Sequence, residues 1–249
     1  LAGGGTYTLG TQNNAVTTLD VDAAALGGDL SFRDDTGFAM TGVDGGANNI
    51  TLSTDGAVTQ TAAITNTGAL TLLSNGGGGA FTLTQANNVT TLDGDTNTLG
   101  AVSFTDNTGG FDVAGLNTGA NNATLSSTGV VTQSAAITAA GLELLGAGGN
   151  YDLDTVNNAV TTLAGNTGII DFLDNTGFTI GTVNTVGLTT TGNMTLTSNG
   201  SVGQTQILRA DTLFLENGTF DFNDIDNRIT TLDADNTTLG GDLTFQDNL

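Results

Sequence analysis

The sequence predicts an all-β chain wound as a parallel β-solenoid. Three observations carry that expectation. The chain repeats itself about every 70 residues, its apolar residues come in short alternating runs, and Gly, Asn and Asp separate the runs.

The repeat is marked by Val-Thr-Thr-Leu at Val16–Leu19, Val89–Leu92 and Val160–Leu163, and by Ile229–Leu232. The closing residues Leu19, Leu92, Leu163 and Leu232 thus recur at a nearly constant interval. Ser31-Phe32, Ser103-Phe104, Asp171-Phe172 and Thr244-Phe245 follow in a shared register. Next come Asp35-Thr36-Gly37-Phe38, Asp106-Asn107-Thr108-Gly109 and Asp174-Asn175-Thr176-Gly177-Phe178. Val58-Thr59-Gln60, Val131-Thr132-Gln133 and Val202-Gly203-Gln204 form a third marker, and Leu70–Leu73, Leu142–Leu145 and Leu213–Leu215 a fourth. The chain therefore reads as about three and a half copies. Junctions fall near 72/73, 144/145 and 215/216, within one continuous solenoid segment, 1–249, of a longer repetitive chain.

Within the third copy, strand-sized runs centre on Leu144, Leu153, Leu163, Phe172, Ile180, Leu188, Leu196, Val202 and Ile207. Leu142-Glu143-Leu144 and Tyr151-Asp152-Leu153 alternate with period two, so one face is buried and the other wet. Thr, Val, Ile and Phe suit strands. No segment holds a helical i, i+3, i+4, i+7 pattern. Between the runs, Asn75–Gly79, Gly148-Gly149-Asn150 and Asp174–Gly177 supply residues that accept left-handed geometry and turn a chain sharply.

Runs this short cannot bury an apolar face alone. Grouped in threes they make triangular coils of about 19–28 residues, starting near Leu142, Ile170, Met194 and Leu213, with three coils per repeat. Stacked coils pair each strand above and below at roughly 4.8 Å, so about ten coils give a rod roughly 50 Å long. The absence of Lys and Pro agrees, because in middle coils Lys would block the ladders and Pro would break them.

Composition excludes much chemistry. The 249 residues carry 3 Lys+Arg against 25 Asp+Glu, a formal charge of −22, with no Cys or His. That removes thiol nucleophiles, disulfides, imidazole bases and Ser-His-Asp triads. With no basic patch, nucleic acid and anionic membrane surfaces are not expected partners. The only bases are Arg33, Arg209 and Arg228, at non-equivalent repeat positions, each expected to neutralise a local Asp as Arg33 does beside Asp34 and Asp35.

The strings Leu142–Tyr151, Asn157-Asn158-Ala159-Val160-Thr161-Thr162-Leu163 and Asp174–Phe178 resemble the filamentous haemagglutinin-type repeats of bacterial exoproteins. These include two-partner-secretion adhesins and large autotransporter passengers. The resemblance spans essentially the whole chain. It implies a secreted, right-handed parallel β-helix that holds binding regions away from the cell.

Three further features invite a chemical reading. Asp20 and Asp22, Asp93 and Asp95, and Asp233 and Asp235 share one register after Thr-Thr-Leu, and paired carboxylates on a turn supply some of the oxygens a calcium ion takes. Solvated turn residues are the plainer reading, so calcium is a weak expectation and no cofactor is required. Glycoside chemistry would need two placed carboxylates. Asp221, Asp224 and Asp226 with Arg228 are the densest acid cluster, but they sit where turn residues sit in the preceding copy, and no enzymatic activity is expected. The recurring Asn pairs Asn13-Asn14, Asn48-Asn49, Asn87-Asn88, Asn121-Asn122 and Asn157-Asn158 lie more than one coil apart, which favours turns over a ladder.

The expected role is a structural rod, extracellular or on the bacterial cell surface. It would reach a host or neighbouring cell through regions outside this segment. The alternative is a subunit of an extracellular filament, sheath or surface layer, built by end-to-end stacking of like chains.

Overall fold

A computed structural model describes residues 1, 4–21, 26–65, 67–224, 226–235 and 239–248. The described chain is all β, with no helix, and winds through about 11 turns. At roughly 4.8 Å per turn this is a rod a little over 50 Å long. Among the described residues twenty-one strands join one sheet and two more form a small second one. Every strand-to-strand pairing is parallel, and one isolated bridge, Thr182 to Val186, is antiparallel.

Two long ladders make the main walls. One runs through Tyr7–Asn14, Leu30–Asp34, Ile50–Thr54, Thr67–Ser74, Val89–Gly94 and Asp112–Asn117. The other runs through Thr18–Leu19, Gly37–Met40, Ala57–Gln60, Ala80–Asn87, Val102–Asp106 and Asn122–Ser127. Both then enter Val130–Asp174, a single 45-residue strand whose backbone stays paired as it bends round the corners. A small separate sheet pairs Val43–Asp44 with Ile64–Thr65, and later Gly165–Thr167, stacked on Leu144–Gly146 of the second wall, pairs with Leu188–Thr190. The strand expected around Ile207 begins one residue on, at Leu208.

Paired positions advance by one coil at a time, as in Ala123 to Leu142 and Ile170 to Met194. Each coil thus takes roughly 20 residues, and a repeat of about 70 residues holds three whole coils and about half of a fourth. The expected count of three was short by that half coil. Equivalent segments consequently alternate between the walls. Phe32 lies on the first wall, paired with Leu9 and Leu52, whereas its repeat equivalent Phe104 lies on the second, paired with Leu83 and Leu125. Phe172 and Phe245 again fall in different ladders. The span from Leu142 to Ile170 thus crosses from wall to wall, which explains why it is longer than the spans that follow it.

Inward residues alternate with outward ones on both walls, and their side chains form one cluster along the rod. In the second wall Phe38, Val58, Phe81, Val102, Ala123 and Leu142 stack in register. Large rings above small side chains fill the column without overpacking, and each fully buried Leu or Phe contributes about 1.5–3 kcal/mol. Across the tight turns, Phe32 and Phe38, Phe104 and Phe111, and Phe172 and Phe178 meet edge to face at 5.0, 5.1 and 5.3 Å. Between these rings, Gly37, Gly110 and Gly177 take φ of 86°, 91° and 93°. A Cβ there would stand 2.4, 1.8 and 2.2 Å from a carbonyl oxygen of the next coil, so only Gly fits.

Buried polar brackets recur with the repeat. Asn158 is fully buried and donates to the Leu153 and Leu173 carbonyls at 3.0 and 2.9 Å. Its Oδ1 accepts from the Ile137 N–H at 2.8 Å and from the Gln133 amide. One side chain so ties three successive coils. Asn87 repeats the pattern with Leu83, Thr105, Ile64 and Gln60. Asn227 repeats it with Gln246, Leu208 and Gln204. The Val-x-Gln marker of one copy is therefore the partner of the Asn in the next. Beside Asn14, Asn87 and Asn158, a buried Asp receives the N–H two residues past the Asn. Asp34 takes Val16 at 2.7 Å, Asp106 takes Val89 at 3.0 Å and Asp174 takes Val160 at 2.8 Å. Burial pushes the Asp34 carboxyl upward, but hydrogen bonds from Val16, Thr36 and Gly37 outweigh it and hold it below the ordinary range.

Removing such a bracket strands several buried groups, each costing about 1–3 kcal/mol. Asn158→Ala should destabilise the chain by about 2–4 kcal/mol in urea melts followed by circular dichroism, while the exposed neighbour Asn157→Ala should stay within about 0.5 kcal/mol. Equal effects of the two substitutions would refute the bracket.

Candidate functional site

The five calcium-register acids among the described residues fall at or just past the ends of strands, and no third acid joins them. Asp20 is exposed, accepts the Thr41 hydroxyl at 2.7 Å, and lines an open groove of about 430 Å³ with Thr41, Asp44 and Thr65. Asp22 lies outside the described residues. Asp93 is half-buried; burial raises its pKa and one carboxyl oxygen has no hydrogen-bond partner, while Asp95 is exposed. Asp233 and Asp235 are exposed and edge a groove of about 240 Å³ beside Phe214, Leu215 and Glu216. Among the described residues no three acidic side chains gather closely enough to hold a metal ion.

The more strained acids lie elsewhere. Asp171 faces outward on the first wall, and burial together with Asp154, Asp152 and Glu216 pushes its pKa up to about 6. Burial and Asp154 also raise Asp152. Alternation in Tyr151-Asp152-Leu153 and Asp171-Phe172 placed these acids outward, but the sequence did not show that they share one stretch of wall.

Glu143, one of only two Glu residues, behaves oppositely. It sits at an outward position yet is 1% exposed. The segment 181–187 reaches down from about two coils away and covers it. Asn184 Nδ2 donates at 2.8 Å, the Thr185 N–H at 2.6 Å and the Thr124 hydroxyl at 2.9 Å. Burial pushes the carboxyl up, but those donors prevail and hold it below the ordinary range. No local signal in the sequence announces this contact, which joins distant coils.

Asp221 proves to be an exposed residue of the strand Thr219–Phe222, and Asp224 and Asp226 lie in the turn that follows it. Asp224 accepts from the Asp226 N–H at 2.9 Å, and its own N–H reaches Gln204 at 3.4 Å. Arg33 pairs with Asp35 at 2.9 Å, as expected. Arg209 and Arg228 do not follow it: neither has an ion pair among the described residues.

No protein-family model, curated protein or solved structure matches this chain. What the fold defines is a class: a β-solenoid repeat protein, with a single apolar column and a strongly acidic exterior.

Two measurements follow from these carboxyls. Because the folded pKa of Asp171 is raised, the folded state holds its proton more tightly, and stability falls as pH rises through about 6. Asp171→Asn should raise the melting temperature at about pH 7.5, where an ordinary carboxyl is ionised, and flatten the pH profile around 6. A lowered melting temperature would contradict this. Asp34 and Glu143 act in the opposite sense, and their contribution is lost as pH drops below the ordinary carboxylate range. Because the paired Asp residues lack a third ligand among the described residues, melting in calcium and in chelator should give the same midpoint. A rise of several degrees with calcium would overturn that expectation.

Proposed function

We propose that this chain is a rigid structural rod of a large secreted bacterial surface protein of the filamentous haemagglutinin type, holding adhesive regions away from the cell. The observation that carries the reading is the single apolar column that runs through all turns, flanked by parallel ladders. A stack of this kind resists bending, because tilting one coil breaks backbone bonds along a whole wall. The −22 charge supports an extended, soluble exterior in which neighbouring rods repel. The densest acid cluster is one outward strand residue, Asp221, and two turn residues, Asp224 and Asp226, which favours a rod over an enzyme. The family assignment rests on the resemblance of the repeat strings. An extracellular filament, sheath or surface layer built from the same coils is the second reading, favoured by the equivalence of the two walls from one repeat to the next.

Immunogold labelling and protease shaving of intact producing cells test the location. Label on the cell exterior, or in released protein, is expected, and retention inside the cell would overturn the reading. Rods of finite length in electron micrographs support the adhesin shaft, and polymers of indefinite length support the filament. The native chain should also resist trypsin, because Arg33 and Arg209 lie in paired strands and only Arg228 is exposed. Rapid cleavage at Arg33 would contradict a rigid stack.

A further inference from the structure

Two of the three basic residues stand directly above one another. Thr189 pairs with Arg209 and Arg209 pairs with Arg228 on successive coils. Buried Leu208 and Ala210 flank Arg209, and buried Asn227 and Ile229 flank Arg228, so strand alternation sends both guanidinium side chains outward. The parallel spacing puts their backbones roughly 4.8 Å apart. Like charges this close repel, and a chain with 25 acidic residues could easily have placed a carboxylate beside each. Yet among the described residues no Asp or Glu oxygen lies within 4.0 Å of either group. Arg209 is only partly exposed, and its Nε–H is enclosed with no acceptor. An enclosed donor without a partner costs free energy, more so on a charged group. The next outward positions in the same row are Thr189 and Asn166, which are polar and uncharged.

We propose that Arg209 and Arg228 form a binding site for a tetrahedral dianion, the sulfate or phosphate group. Guanidinium forks present several N–H donors in a fixed plane and hold oxyanions by charge-assisted hydrogen bonds. Two forks on adjacent coils bridge one dianion through their outer N–H donors, which relieves the repulsion between the pair. The −22 charge of the chain opposes anion binding, and it opposes a long polyanion lying along the surface more than one small dianion held between two guanidinium groups. The site is independent of the rod reading.

With three Arg in the chain, a nitrogen-15 spectrum shows three Nε–H signals, so the site reads itself out. Inorganic sulfate and inorganic phosphate are titrated at constant ionic strength, with acetate and chloride as comparators. Saturable shifts of the Arg209 and Arg228 signals are expected, tighter for the dianions than for acetate. The Arg33 signal, held by Asp35, should stay still. Arg228→Gln, at an exposed position, should weaken dianion binding at the Arg209 signal about tenfold, and Arg33→Gln should leave it unchanged. Equal shifts of all three signals, the same response to chloride, or unaltered affinity in Arg228→Gln would overturn the site. Acetate binding as tightly as sulfate would overturn the dianion assignment.

Discussion

Everything in this molecule depends on the backbone ladders that join each coil to the coils on either side. A buried peptide group must find a partner, and in a stack only the neighbouring coil can provide one over the length of a wall. That requirement fixes the register, and register in turn fixes which side chains share a column. Phe81 must fit between Val58 and Val102 because the ladders leave it nowhere else to stand. Gly110 must be Gly because the Val130 carbonyl approaches its α-carbon from the next coil.

Corners are where a ladder is weakest, since the chain leaves one wall and its backbone groups point away from any strand. The Asn-Asp brackets act at these points. Asn158 and Asp174 hand hydrogen bonds to backbone groups that the turns would strand, and the Gln of the preceding copy completes the network. Such a network is stable only when every member is satisfied. That explains why Asn, Asp and Gln recur together rather than drifting to other polar residues. The half-coil offset between repeats adds a second demand, because each motif must work on either wall.

Much of this was legible in the sequence. Period-two alternation around Leu144 and Leu153 depends only on neighbours along the chain, and the Asp-x-Thr-Gly turns announce their own geometry. Parity even distinguishes buried Asn158 from exposed Asn157, since Asn158 shares a face with Val160. Other features depend on coil length summed over several irregular turns. The alternation of walls, the cover that 181–187 lays over Glu143 and the superposition of Arg209 on Arg228 all need the register of distant coils. An error of one or two positions in any turn would erase them. The expectation that every Arg neutralises a nearby Asp failed for that reason, because the true neighbours of Arg209 lie a coil away.

In this fold the hydrogen bonds of the walls run along the rod axis between parallel coils. X-ray diffraction from aligned rods measures this directly. Coils stacked along the axis should give a reflection at roughly 4.8 Å on the meridian, parallel to the long axis. The same spacing on the equator, from strands lying along the rod, would contradict it.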